Sequence, residues 1–374
     1  LAAGEDSGDL HGAYLVRELR RLAPTAELVG MAGPRMREAG VAAVVPSESH
    51  GLVGFVELFG RLGQFRRDLG VLAAAMNGAQ VLVAIDYGGF NARVVARAKR
   101  LGLKTVYYIP PKLWAWGKHR RRDLARHLDL VLAVFPFEEP FWAEAGVRTV
   151  FVGHPLLDIT RPARPRRDVR AALGVGEDAK LVLALPGSRR VEITQLWPPM
   201  ARALAAIAGA RSDCTIIVLP GGGMTAADLE RYAPVPATAN VITGAAPEYM
   251  AAADAAVAAS GTATLELALL GTPQLILYKV NQLTWEIGRR LVYVSHLGLP
   301  NILAGRPVVP ELLQGDVDDR AIATETMRLL DDEPLRRRIT AAYEEIRAAL
   351  TPAGMDGATA PARAARHILE VAGV

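Results

Sequence analysis

The chain has 374 residues, 51% of them hydrophobic and 22% charged, with a net charge of +4 at pH 7. That balance excludes a disordered or collagen-like chain, and the length accommodates two domains with a large core. One cysteine excludes a disulfide framework and a cysteine zinc site, which suits a reducing cytoplasm, and no apolar run is long enough to cross a membrane as a helix.

Leu1-Ala2-Ala3 reads as the end of a strand already under way. The chain is therefore expected to be a fragment missing its first few residues, and the lack of an N-terminal signal carries little weight. Gly4-Glu5-Asp6-Ser7-Gly8-Asp9 is an acidic, Gly-rich turn leading into a helix with Leu15, Leu19 and Leu22 on one face. It lacks the third glycine of a dinucleotide fingerprint, and its carboxylates repel a pyrophosphate, so the turn suits sugar hydroxyls instead. Residues 29–36 read as strand, turn and short helix. Residues 51–76 carry Leu52, Phe55, Phe59, Phe65 and Leu69 with Arg61, Arg66 and Arg67 between them. That apolar set is wider than one helical stripe. It fits either a core helix with a solvated basic edge or a segment lying in a membrane interface.

Residues 81–85 form a buried strand ending in Asp86, placed to act as a general base on a hydroxyl or to cap the helix beginning near Asn91. A strand at 105–109 runs into Pro110-Pro111-Lys112-Leu113-Trp114-Ala115-Trp116, where the two Trp either floor a sugar or acyl site or pack in the core. Lys118-His119-Arg120-Arg121-Arg122 is a solvated helix face or part of a membrane or phosphate surface. Strands at 129–135 and 149–152 close the first half, and a Pro/Arg-rich linker follows at 160–167.

The alternation then restarts. A strand at 181–185 meets Pro186-Gly187-Ser188-Arg189 and a helix from about Glu192, an anion site with Arg189 supplying the charge. Cys214 opens an apolar strand that ends in Pro220-Gly221-Gly222-Gly223. The run 254–258 leads to Ala259-Ser260-Gly261-Thr262-Ala263-Thr264-Leu265-Glu266. Small residues there let an anion approach the backbone, the helix N-terminus favours it, and Glu266 lies one turn in, within reach of a sugar hydroxyl. This stretch either holds the diphosphate and ribose of a nucleotide sugar or is an ordinary capped connection. A further strand covers 274–278, the 299–306 loop offers the Asn301 amide to a ligand, and helices at 320–349 and 361–371 finish the chain.

Two α/β halves joined by a Pro-rich hinge put a cleft between them, suited to transfer from a nucleotide to an acceptor. Breaking a sugar–diphosphate bond needs stabilisation of the leaving nucleotide. Only Asp316-Val317-Asp318 has paired-Asp metal spacing, and it lies in a late polar loop. A helix N-terminus at Gly261-Thr262-Ala263 plus Arg189 offers the alternative, so metal-independent transfer with no cofactor is favoured.

The ordered set Gly4-Glu5-Asp6-Ser7-Gly8-Asp9, Gly33-Pro34-Arg35-Met36, Ile85-Asp86-Tyr87 with Phe90-Asn91, Trp114-Ala115-Trp116, Phe135-Pro136-Phe137-Glu138, Gly153-His154-Pro155, Pro186-Gly187-Ser188-Arg189, Ser260 to Glu266 and Leu299-Pro300-Asn301 resembles the lipid-A-disaccharide synthase family. The likeness spans nearly the whole chain. It implies an inverting hexosyltransferase of GT-B type, two Rossmann-like α/β domains facing across a cleft. The expected parts are an acceptor and membrane-side domain at 1–157, a linker at 158–168, a UDP-sugar-binding domain at 169–345, and a helical segment at 346–374 that packs back on the first domain or swaps in a homodimer.

The resemblance further implies transfer of a diacylglucosamine from UDP to the 6-hydroxyl of diacylglucosamine 1-phosphate, at the cytoplasmic face of the bacterial inner membrane. Asp86 matches the essential carboxylate. Gly187, Ser188, Arg189, Ser260, Gly261, Thr262, Ala263, Glu266 and Asn301 fall on the UDP side, and Glu5, Ser7, Asp9 and Trp114 on the acceptor side. Two departures stand out: Pro110-Pro111-Lys112 replaces a Ser-Pro-Ser of some members, and Gly88-Gly89 follows Tyr87 where others carry a nearby Pro. The residues alone leave two rivals, another GT-B enzyme acting on UDP-N-acetylglucosamine and a nucleotide-sugar-binding module without catalysis.

Overall fold

Short runs of Val, Leu, Ile and Ala without polar alternation are what strands covered on both faces require, and the central strands of two all-parallel sheets bury them here. The computed structural model describes residues 1–50, 62–176, 178–244, 246–282, 285, 286, 288, 293–354 and 357–374. The chain divides into two compact units, Leu1–Asp158 with Leu350–Val374, and Ile159–Ala349.

The first unit holds β1 (Ala2–Ala3), β2 (Val29–Ala32), β3 (Ala42–Pro46), β4 (Val81–Ile85), β5 (Lys104–Tyr108), β6 (Leu130–Ala133) and β7 (Arg148–Phe151), in the order β3-β2-β1-β4-β5-β6-β7. The order reverses between β1 and β4, where the crevice of an open α/β sheet forms at the carboxyl ends. Ala3 pairs with Ile85, so the acidic turn after β1 and Asp86 after β4 leave the sheet side by side. The helix Asp6–Leu22 buries Leu15, Val16 and Leu19. The last helix, Ala360–Ala372, starts at Thr359, whose hydroxyl accepts from the Ala362 amide. It returns to this first unit, where Glu370 meets Arg148 and the Ala360 amide donates to Asp158.

Of the 51–76 segment, Phe55 and Phe59 lie outside the described residues. The helix Leu62–Ala75 is described, and it corrects the interfacial reading for its own part. Leu72 and Met76 are core residues, and Phe65 and Leu69 pack against them, with the Phe65 ring 5.6 Å from that of Phe90. The width of the apolar set reflects a helix laid against a sheet, while Arg66 and Arg67 stay exposed.

The second unit holds β8 (Lys180–Leu185), β9 (Cys214–Val218), β10 (Ala239–Val241), β11 (Ala255–Ala259), β12 (Gln274–Tyr278) and β13 (Glu311–Leu313), in the order β10-β9-β8-β11-β12-β13. Its order reverses between β8 and β11, which pair from Ala255–Val182 to Ala258–Leu185. The Pro/Arg-rich stretch is not free linker throughout. Residues Arg166–Ala172 are helical, and Arg166 and Arg170 bind opposite oxygens of Asp254 at 2.6 and 2.9 Å.

Candidate active site

In the first unit the chain leaves β4 through two left-handed residues, Asp86 (φ 50°) and Tyr87 (φ 51°), a conformation that non-glycine residues hold only when their surroundings impose it. The imposition is visible. The Asp86 carbonyl accepts from Tyr107 Oη at 2.7 Å and from Asn91 Nδ2 at 2.9 Å, and the Asp86 amide donates to the Tyr108 carbonyl. Tyr87 lies over Gly4, where a Cβ would stand 2.1 Å from its ring, which is why a glycine follows β1. Ser7 Oγ donates to Asp86 Oδ2 at 2.9 Å. One turn further along the same helix is His11, 5% exposed, whose buried Nδ1 has no partner among the described residues. Burial lowers its pKa to about 4, against an opposing pull from the nearby Asp86 carboxylate.

Two other residues expected on the acceptor side have structural work that the sequence did not reveal. Asp9 is buried, and its two oxygens accept from the Arg35 and Met36 amides at 3.0 Å each, capping the helix Pro34–Glu38. Gly33 must be glycine because a Cβ there would lie 2.4 Å from Asp9 Cγ. Trp114 does not floor a site: it is buried between Phe135 and Phe137, and its Nε1 donates to Glu138 Oε1 at 2.9 Å. An indole this large fills the space under the 113–116 turn, and its N–H needs the partner that Glu138 supplies. Glu5 stands half-buried at the N-cap of Asp6–Leu22.

In the second unit three loops gather at the carboxyl ends of β9, β8 and β11. Gly187 takes φ 115°, and a Cβ there would meet Glu192 Oε2 at 2.7 Å and Ala259 Cβ at 3.5 Å. The Ser188 and Arg189 amides donate to Glu192 Oε2, so the protein's own carboxylate caps the helix Arg190–Ala210. The Arg189 guanidinium stays half exposed, 3.5 Å from Glu192. Gly221 and Gly222 pack on Ser188, where a Cβ on either would stand within 2.8 Å of it. In sequence these two glycines only mark the end of a strand; their triple-Gly run was the available signal for a loop that another backbone approaches.

After β11, Ser260 Oγ donates to the Leu297 carbonyl, and the helix Thr262–Leu269 follows Gly261. Gly261 and Thr262 are exposed, and the amides of Thr262 and Ala263 have no intrahelical acceptor. Glu266 is partly buried, which raises its pKa, and among the described residues no hydrogen bond or ion pair reaches its carboxylate. Asn301 is the clearest departure from expectation. It is 1% exposed, its Nδ2 donates to the Val309 carbonyl and Glu311 Oε1, and its Oδ1 accepts from the Val308 and Val309 amides. All four hydrogen-bonding positions of the amide are spent on its own loop, so it shapes the 299–311 segment and has none left for a ligand. Asp318 likewise caps a helix, accepting from the Ala321 amide.

A family model described as lipid-A-disaccharide synthetase matches residues 1–356. The chain belongs to that family. Lipid-A-disaccharide synthases of Anaeromyxobacter dehalogenans and Geobacter sulfurreducens are 39% and 40% identical to it, over 99% and 95% of this chain and 96% and 93% of theirs. As a family member it is a hexosyltransferase of lipid A disaccharide synthesis. Its fold is that of GT-B glycosyltransferases. The calicheamicin glycosyltransferase CalG4 superposes with a TM-score of 0.59 over 99% of this chain and 97% of its own, at 17% identity. Anabaena HepE in complex with UDP does so with 0.56 over 98% of both chains, at 14% identity.

Proposed function

We propose that the synthase transfers a diacylglucosamine from UDP to the 6-hydroxyl of diacylglucosamine 1-phosphate, with inversion, and that Asp86 is its general base. The observation that carries this reading is the setting of Asp86. Its backbone is pinned in a strained conformation at the β1/β4 reversal, Ser7 occupies Oδ2, and among the described residues Oδ1 accepts no hydrogen bond. Oδ1 takes the proton of the 6-hydroxyl as that oxygen attacks the donor C1, and UDP leaves from the opposite face.

The second unit holds the donor. The amides at Thr262 and Ala263 and the Arg189 guanidinium meet the diphosphate, whose charge rises as the glycosidic bond breaks, and they do so without a metal ion. Glu266, half-buried without a donor, accepts from a ribose hydroxyl. HepE, a protein of the same fold, was solved in complex with UDP, which supports a UDP-linked donor for this fold. The enzyme works at the inner leaflet as a peripheral protein. Trp116 is 49% exposed, Arg120 lies over its ring at 6.0 Å, and Lys118 and Arg122 are exposed beside it, a pairing of aromatic and cation that suits anionic headgroups.

The test is incubation of Asp86→Asn with UDP-diacylglucosamine and the monosaccharide phosphate. Disaccharide formation is expected to fall at least 100-fold, the lower range for general base catalysis, while UDP affinity is kept. Unchanged turnover removes Asp86 from the mechanism.

A further inference from the structure

Resting on the acceptor assignment above, we propose that Lys112 is the anion anchor of the acceptor site, binding the phosphomonoester at C1 of the acceptor sugar while its 6-hydroxyl lies at Asp86. β4 and β5 pair to their last residues, Ile85 with Tyr108, and both chains then turn through left-handed backbone, Asp86 and Tyr87 on one side and Ile109 (φ 57°) on the other. The two turns are packed together: a Cβ on Gly88 would lie 2.7 Å from Pro111 Cβ. Lys112 is the next residue, exposed, and among the described residues its ammonium has no hydrogen bond or ion pair.

Its charge is felt across the same end of the sheet. Burial, with the charges of His11 and Lys112 added to it, holds the His154 pKa down, and Lys112 is among the groups that oppose the burial raising that of Glu138. Among the described residues the buried Nδ1 of His11 has no partner, so this end of the sheet holds a polar atom with capacity to spare. The other lysines of this part of the chain are placed differently. Lys99 is held by both oxygens of Asp129, Lys104 starts β5 at its amino end, and Lys118 belongs to the Trp116 surface. A phosphomonoester carries close to two negative charges at neutral pH, and an unpaired ammonium is its natural counter-charge.

The experiment compares the full chain with Lys112→Met and Lys112→Arg, using a short-chain water-soluble acceptor with and without its 1-phosphate. Loss of a charged hydrogen bond predicts that Lys112→Met lowers kcat/KM for the phosphorylated acceptor about tenfold or more through acceptor KM. The unphosphorylated acceptor and the donor KM should not respond, and Lys112→Arg should restore most of the preference. Acceptor binding measured by calorimetry without donor should weaken by the same factor, which tests Lys112 even if turnover fails to support Asp86 as base. Equal kcat/KM in Lys112→Met, or equal loss for both acceptors, overturns the proposal. So does a variant that keeps soluble-acceptor kinetics but no longer binds phosphatidylglycerol vesicles, since Lys112 would then read lipid headgroups.

Discussion

Glu138 is a fully buried carboxyl ringed by donors, with Trp114 Nε1 on one oxygen and the Val134 and Phe135 amides on the other at 3.1 Å. Burial pushes its pKa up to about 7, and the three donors pull against that rise. The folded protein therefore holds this proton more tightly than the unfolded chain between about pH 4.5 and 7. Its contribution to stability is full below that window and declines as pH rises through it. In Glu138→Gln the amide nitrogen faces the Trp114 N–H, and at pH 4.5 this should cost about 1–3 kcal/mol. The cost should shrink toward pH 7, as the wild-type carboxylate itself becomes unfavourable. Urea midpoints of both proteins across this range check it; a pH-independent difference contradicts it. His11 works in the opposite sense, since its lowered pKa gives stability that is lost as pH falls from 6.5 toward 4.

At the scale of elements, the helix Arg166–Ala172 shows how charge fixes a connection that composition makes look loose. Arg170 and Asp254 are about nine-tenths buried, Arg166 takes the other carboxylate oxygen, and the Leu181 amide donates to Asp254 as well. One carboxylate thus ties the first helix of the second unit to the start of β8 and β11. Asp254→Ala leaves the Arg170 guanidinium buried without its counter-ion. A loss of about 3–5 kcal/mol is expected for breaking one side of a buried pair. Chemical denaturation of the full chain measures it. A change below 1 kcal/mol would mean that the carbonyls of Ala252, Gly176 and Ala179, which Arg170 also reaches, suffice to hold it.

For the whole molecule, the chain's final segment matters more than its position suggests. Leu350–Val374 belongs with Leu1–Asp158, held by the Leu350 carbonyl accepting from the His154 amide, by Arg363 Nε donating to Val152, and by the Ala360–Asp158 bond. The last helix lies against Asp6–Leu22, the helix that carries Ser7 and His11. A chain ending at Ala349 is therefore expected to lose the cooperative melting of the first unit and amide protection across residues 1–158, while the second unit keeps its protection. Native protection throughout 1–158 in the shortened chain would refute this.

The sequence by itself determined the architecture class and the family. Apolar runs of strand length between helical patterns require parallel sheets, and an ordered series of motifs is specific where each motif alone is weak. Strand ends were legible too, so Asp86, Ser188 and Ser260 could be placed at carboxyl edges. Tertiary structure alone decided which edges are neighbours. The reversals between β1 and β4 and between β8 and β11 bring together loops separated by about 80 residues, a pairing that no local pattern encodes. It also decided which polar side chains are already spent. Asn301 read in sequence as a ligand-binding amide on the UDP side, and Asp9 and Trp114 as groups able to bind sugar, because residue type reports hydrogen-bonding capacity and not its use. Only the fold shows that backbone amides, carbonyls and Glu138 consume that capacity, while among the described residues Asp86 Oδ1 and Lys112 keep theirs.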